Sequence, residues 1–198
     1  MLNYKRIFFA INLPEEIKEK LESEGKEINK LFLKTSQGIS PIRWVEKKNL
    51  HITLLFIGRT EKSKLKDIFE VADKISAKYS KFSLKLLNIC YGPKSYTPPR
   101  LIWAEIENNK ILAELAREIK DEISKNNISQ KNSENDFKPH ITIGRIKAWQ
   151  WRAIEPEERP KINKEITLEF PVKSIDVMES KLKRSGAEYN KLASFSLK

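Results

Sequence analysis

Cysteine and histidine are the scarce residues of this chain, with one cysteine (Cys90) and two histidines (His51 and His140) in 198 residues. A lone cysteine excludes an internal disulfide and points to a reducing compartment. The three side chains are too few for the common Cys/His zinc sites, and no Asp/Glu cluster has ligand spacing, so neither metal nor cofactor is expected. Long apolar runs are lacking as well. The longest early one, Ile7 to Ile11, is far short of the roughly 20 residues of a membrane-spanning helix. Lys5 and Arg6 ahead of Ile7-Phe8-Phe9-Ala10 look briefly like a signal peptide. The run is too short for one, has no small-residue cleavage site, and meets Pro14-Glu15-Glu16 at once. The expectation is a soluble cytoplasmic protein with no membrane partner.

What the chain holds in surplus is positive charge. Lys and Arg number 38 against 27 Asp and Glu, a formal charge of +11 with pI about 9.6. Such a balance favours an acidic partner, nucleic acid first. Lysine that merely solvates helix faces gives the same composition, and composition does not separate the two. The length suits one domain or two small lobes and a core that needs no disulfide or structural metal.

Residues 6–12 are aromatic and β-branched and read as a buried strand. Pro14, Glu15 and Glu16 signal a helix start, with Ile17, Leu21, Ile28, Leu31 and Phe32 roughly on one face and Gly25 a weak point near its middle. Gly38 and Pro41 end it. Residues 42–57 are strand-like, interrupted by a polar turn at 46–49. A second helix is predicted over 63–80 from Leu65, Ile68, Phe69, Ala72 and Ile75. Phe82, Leu84 and Leu86 alternate as in a half-buried strand. Residues 101–106 form another strand, and Leu112, Leu115, Ile119 and Ile123 mark a third helix. The polar stretch 126–136 reads as a mobile insert. Strand-like runs near 166–170, 174–179 and 191–197 complete the chain.

An internal echo organises these elements. Arg6-Ile-Phe-Phe-Ala10, a helix and His51-Ile-Thr-Leu54 are matched by Arg100-Leu-Ile-Trp-Ala104, a helix and His140-Ile-Thr-Ile143. Coincidence between two ordinary α/β segments is the alternative. Yet both of the only two histidines open His-Ile-Thr-apolar, which chance would produce at roughly 1 in 10⁴ to 10⁵. Duplication of one strand-helix-strand unit is the better reading. In a strand, residues two apart face the same way, so His51 and Thr53 share one face, as do His140 and Thr142, while the isoleucines between them anchor the core. A pseudo-two-fold pairing of the units brings both His/Thr pairs into one cleft.

Two imidazoles and two hydroxyls suit displacement at a phosphodiester. One imidazole takes a proton from the nucleophile and the other gives one to the leaving alkoxide. The hydroxyls donate to the non-bridging oxygens, where charge develops. No metal is called for, and a basic surface attracts RNA phosphates.

These residues resemble the two-histidine phosphoesterases, specifically the RNA 2′,3′-cyclic phosphodiesterase / 2′-5′ RNA ligase (LigT-like) family. The resemblance rests on Arg6-Ile-Phe-Phe-Ala-Ile-Asn-Leu-Pro14, Asn49-Leu-His51-Ile-Thr53-Leu-Leu-Phe-Ile-Gly58, Arg100-Leu-Ile-Trp103 and Phe137-Lys-Pro-His140-Ile-Thr142-Ile-Gly-Arg145, with Ser180 and Tyr189 before an apolar last strand. It spans essentially the whole chain. It implies an α+β fold: a single bilobal domain, 1–198, of two pseudo-symmetric strand-helix-strand units with antiparallel sheets around a central cleft. Unit one is roughly 1–60 and unit two roughly 98–146, with 61–97 and 147–198 completing the lobes. It also implies metal-independent opening of an RNA 2′,3′-cyclic phosphate to a 2′-phosphomonoester, with 2′-5′ ligation as the reverse reaction. By the same resemblance His51 is the proton donor, His140 the proton acceptor, and Thr53 and Thr142 bind phosphate; the residues themselves do not distinguish donor from acceptor. The RNA partner could be a tRNA fragment, another cleaved end, a 2′-5′ oligonucleotide or a small cyclic nucleotide, met by a monomer.

Arg145 matches a family arginine after the second motif. Strict alternation turns it away from His140, so a phosphate role needs a bulge or a strand end there. Arg100 and Arg43 are further phosphate candidates that could instead pair with carboxylates. Phe9, or a tryptophan from 149–151, could stack on a base, with core packing the commoner fate of Phe9. Lys138 stands where arginine is frequent in the family. Two rivals remain. One is Cys90 as nucleophile with a histidine base, without a glycine-rich elbow around it. The other is an RNA-binding protein that uses the cleft without chemistry.

Overall fold

The computed structural model describes residues 3–35, 40–128, 137–183 and 186–198. Among these residues nine strands form one sheet and four α-helices accompany it. In chain order these are β1 (Tyr4–Asn12), α1 (Glu15–Thr35), β2 (Ile42–Trp44), β3 (His51–Glu61), α2 (Leu65–Ser76), β4 (Phe82–Gly92), β5 (Leu101–Ile106), α3 (Lys110–Lys125), β6 (His140–Ile146), α4 (Ala148–Arg152), β7 (Asn163–Val172), β8 (Ser174–Lys183) and β9 (Gly186–Ser196). The sheet order is β7-β4-β5-β6-β3-β1-β8-β9, with β2 also paired to β6. Every pairing is antiparallel. The order reads alike from both ends, so β5-α3-β6 repeats β1-α1-β3 about a point between β6 and β3. At that point the two halves meet through a single ladder pair, Ile52 with Ile141.

The helices follow their apolar spacing. On α3, Leu112, Leu115, Ile119 and Ile123 are fully buried, each worth roughly 1.5–3 kcal/mol of transfer free energy, and Asn109 caps the helix by accepting from the Leu112 amide at 2.9 Å. α2 is shorter than the 63–80 expected. A 3₁₀ turn occupies Lys62–Lys64, and after Ile75 the apolar stripe runs out; the Ser76 hydroxyl bonds back to the Asp73 carbonyl at 2.9 Å. α1 runs through Gly25, where a Cβ would come within 3.2 Å of the Trp44 ring. The missing side chain is where the indole lies against the helix. Of the expected insert at 126–136, residues 129–136 lie outside the described residues.

Two irregularities of the ladders shape the cleft. On β1–β3, Phe9 pairs with Leu55 and Ala10 with Thr53, leaving Leu54 extra. On β5–β6, Ile102 pairs with Gly144 and Trp103 with Thr142, leaving Ile143 extra. Each is a β-bulge, which inserts one residue and shifts the alternation of faces. Both fall on the fourth residue of a His-Ile-Thr-apolar motif. The ladders also revise the echo: Asn12 pairs with His51 and Glu105 with His140, so relative to the histidines Arg6 matches Pro99 rather than Arg100.

Gly92 lies directly against the Trp103 indole, because a Cβ there would fall 2.2 Å from Trp103 Cε2, and the Trp103 ring lies 4.5 Å from that of His140. Gly92→Ala is expected to destabilise the protein by about 1–3 kcal/mol through overpacking and to lower activity by displacing His140. Urea unfolding checks this; an unchanged midpoint contradicts it.

Candidate active site

The two motifs face one cavity of about 370 Å³, and His51, Thr53, His140, Thr142 and Arg145 all line it. Within the motifs Ile52, Leu54, Ile141 and Ile143 are buried, as the alternation required. Past Thr142 the bulge at Ile143 resets the parity, and Arg145 returns to the side of His140. The bulge that strict alternation demanded for Arg145 is present.

Both imidazoles are held alike. His51 Nδ1 lies 2.7 Å from the Asn49 carbonyl oxygen, and His140 Nδ1 lies 2.8 Å from that of Lys138. A carbonyl only accepts, so each Nδ1 carries the proton and each neutral ring keeps a basic Nε2. His51 Nε2 is 3.0 Å from Thr53 Oγ1, which donates to it in that tautomer. Asn49 also donates through Nδ2 to the Ala187 carbonyl at 3.3 Å, tying β9 to the first motif. Phe8 and Tyr189 close on the His51 ring at 5.1 and 5.0 Å between centroids.

Burial pushes both histidines below the ordinary imidazole pKa. The carbonyl bonds pull each back upward, and the Arg145 guanidinium pushes both down again. His140 and Lys18 add to the depression at His51. Among the described residues no group of three or more His, Cys, Asp or Glu is placed to hold a metal ion.

The lining divides by strand. The half of the sheet carrying His51 supplies Phe8, Phe56 and Tyr189, with Arg6 and Ser180, whereas Arg43 and Arg145 come from the half carrying His140. Arg6 and Phe8 share a face of β1 at a spacing of two, the alternation that brings both to the cavity. Phe9 is fully buried in the core. The Arg6 guanidinium lies 5.4 Å from the Phe56 centroid, and its Nε is buried without a hydrogen-bond partner.

Other candidates fall elsewhere. Arg100 stacks on Tyr96, 3.7 Å from the centroid, and is not among the lining residues. Trp151 is buried against Phe32 and Tyr91, while Trp149 is 72% exposed. Neither lines the cavity. Cys90 is buried in β4, where burial pushes its thiol up. It too lies off the cavity, which removes it as a partner for either histidine. Among the described residues no helix is long and apolar enough to cross a membrane.

Comparison with known proteins gives the family and the fold. Residues 36–184 match the model of the 2′-5′ RNA ligase superfamily. An RNA 2′,3′-cyclic phosphodiesterase of Methanocaldococcus jannaschii is 32% identical over 185 residues, 93% of this chain and 96% of the relative. One of Thermotoga maritima is 30% identical over 190 residues, 94% and 92% of the two chains. The crystal structure of E. coli LigT complexed with 3′-AMP matches with a TM-score of 0.75 over 98% of each chain at 24% identity, which shows the fold. The α+β architecture of two matched units around a cleft is therefore LigT-like, and the chain belongs to the 2′-5′ RNA ligase superfamily.

Proposed function

We propose that this enzyme opens the 2′,3′-cyclic phosphate at an RNA end to a 2′-phosphomonoester, with His51 as proton donor and His140 as proton acceptor. The observation that carries the reading is the meeting of two equally tethered imidazoles, one from each unit, with Thr53, Thr142 and Arg145 in one cavity. The name shared by the relatives supports it. The whole chain, 1–198, acts as one bilobal domain and as a monomer, since both halves of the sheet furnish the one cavity. Its substrates are cleaved RNA ends, tRNA fragments among them, met in the cytoplasm.

The lining supports the division of roles. Tyr189 and Phe56, part-buried on the His51 side, offer a stacking surface for the terminal nucleoside, and Arg43 and Arg145 on the His140 side add to the charge of Arg6. A nucleoside seated on the aromatic side places its departing O3′ toward His51. Water then attacks phosphorus from the His140 side, its proton passing to His140 Nε2. The P–O3′ bond breaks and O3′ takes the proton of His51 Nε2. The phosphate stays on O2′. One negative charge in the cyclic diester becomes two as phosphorus turns five-coordinate, and the hydroxyls of Thr53 and Thr142 with Arg145 stabilise the increase.

The depressed pKa values fit this cycle. At neutral pH both rings are mostly neutral, so the base is ready, and the phosphate anion raises the pKa of the acid as it binds. In free enzyme the reactive form holds one proton between two groups that both titrate below the ordinary value of about 6.5.

Hydrolysis of a short RNA ending in a 2′,3′-cyclic phosphate, with excess chelator, tests the proposal. Wild type is expected to yield the 2′-phosphate. His51→Ala and His140→Ala should each lose about 10²–10⁴-fold, and Thr53→Val or Thr142→Val about tenfold or more. RNA bound by wild type with its ring left closed would indicate a binding protein instead. The pH profile of kcat/KM is a second check. Its optimum should lie on the acid side of about 6.5, and Arg145→Met should shift it upward by removing the charge that depresses both rings. A plateau extending to about pH 8 would contradict this.

A further inference from the structure

We infer that Arg6 and Arg59 hold the RNA backbone on the 5′ side of the reacting end, so that the enzyme selects an oligonucleotide end over a free 2′,3′-cyclic mononucleotide. Arg6 takes the phosphate that joins the terminal nucleotide to its neighbour, and Arg59 takes the next phosphate along. The inference rests on the phosphodiester chemistry proposed above and narrows the substrate of that same site.

Three observations carry it. The first is an unmet donor. Arg6 lines the cavity on the His51 side, and its Nε is buried without a hydrogen-bond partner. A buried donor left unpaired costs stability, so such a group at a site points to an acceptor that the ligand supplies. Ser180, buried on β8 and lining the same cavity, adds a hydroxyl.

The second observation is a pair of charges that leads out of the cavity. Arg59 stands directly opposite Arg6 on the β1–β3 ladder. Like charges so placed destabilise a strand pair, and an anion between them relieves the repulsion. Each guanidinium is held by a ring: Arg6 lies 5.4 Å from the Phe56 centroid and Arg59 lies 4.2 Å from that of Tyr4. Attraction to an aromatic face does not use up the N–H donors of a guanidinium, which stay available to phosphate. The carboxylate opposite Tyr4, that of Glu61, accepts from the Tyr4 and Ser63 hydroxyls at 3.4 and 3.3 Å.

The third observation is direction. Phe8, Arg6 and Tyr4 share one face of β1 and pair in turn with Phe56, Arg59 and Glu61. Same-face neighbours on a strand stand about 7 Å apart. The row starts beside the ring of Phe56 and runs away from the Asn12–His51 pair. A nucleoside seated on that ring turns its cyclic phosphate to the histidines. Its 5′-carbon, on the far side of the sugar, then points along the row. The phosphate carried there meets Arg6, and the one before it reaches Arg59, which is exposed and lies outside the cavity lining.

Three substrates test the inference. They are a 2′,3′-cyclic mononucleotide, a dinucleotide ending in the same cyclic phosphate, and that dinucleotide with a neutral methylphosphonate as its internucleotide linkage. Wild type should show a kcat/KM about tenfold or more higher on the charged dinucleotide than on either of the others, as a charge-assisted contact predicts. Arg6→Gln should bring the three to within about twofold of one another, and Arg6→Lys should keep part of the preference. Arg59→Gln should remove the added gain that wild type shows with a trinucleotide. Equal use of the mononucleotide and the charged dinucleotide by wild type would overturn the inference. So would a neutral dinucleotide opened as well as the charged one, or an equal loss on all three substrates in Arg6→Gln. If wild type opens none of the three rings, the underlying function falls instead.

Discussion

The site depends on one contact, the pairing of Ile52 with Ile141 where β3 meets β6. Each isoleucine is fully buried and sits between a histidine and a threonine in sequence, so the contact that joins the halves also brings both His/Thr pairs to one cavity. Because strand side chains alternate, burying the isoleucines obliges their neighbours to face away from that core. Core packing and the presentation of the site are thus the same constraint, applied twice.

The pseudo-symmetry extends to the backbone but stops at the lining. Each motif is followed by a bulge at its fourth residue, and each imidazole is tethered by the carbonyl two residues before it. Measured from the bulges, Arg145 occupies in unit two the place of Phe56 in unit one, and Leu101 that of Phe8. A symmetric pair of imidazoles has no preferred direction for proton flow. The lining is unequal: Tyr189 and Phe56 stand on the His51 side together with Arg6, and Arg43 and Arg145 on the His140 side.

Much of this was legible in the residues. The helices declared themselves through apolar spacing, and the His-Ile-Thr repeat marked the units and the cleft, because both signals are local. Arg145 was ambiguous because its direction depends on the bulge at Ile143, which becomes visible only when the register of β5 against β6 is known. Arg43 is a phosphate candidate by residue type alone, and its place opposite Arg145 comes from a crossover pairing of β2 with β6. Phe8 and Arg6, rather than Phe9 and Arg100, line the cavity. Two adjacent phenylalanines on a strand present one ring to each face; both are buried, and composition does not say which face borders the cavity. Tyr189 approaches His51 from a strand 138 positions later in the chain, so no local pattern foretells it.

The central claim is that the two histidines divide proton transfer, His51 serving the leaving oxygen and His140 the nucleophile. Its most direct measurement replaces the bridging O3′ of the cyclic phosphate by sulfur, a leaving atom that departs without being protonated. The account predicts that His51→Ala, inactive on the oxygen substrate, regains hydrolysis on the sulfur substrate, whereas His140→Ala stays inactive on both. Rescue of His140→Ala alone would reverse the roles, and rescue of neither or of both would contradict the division itself.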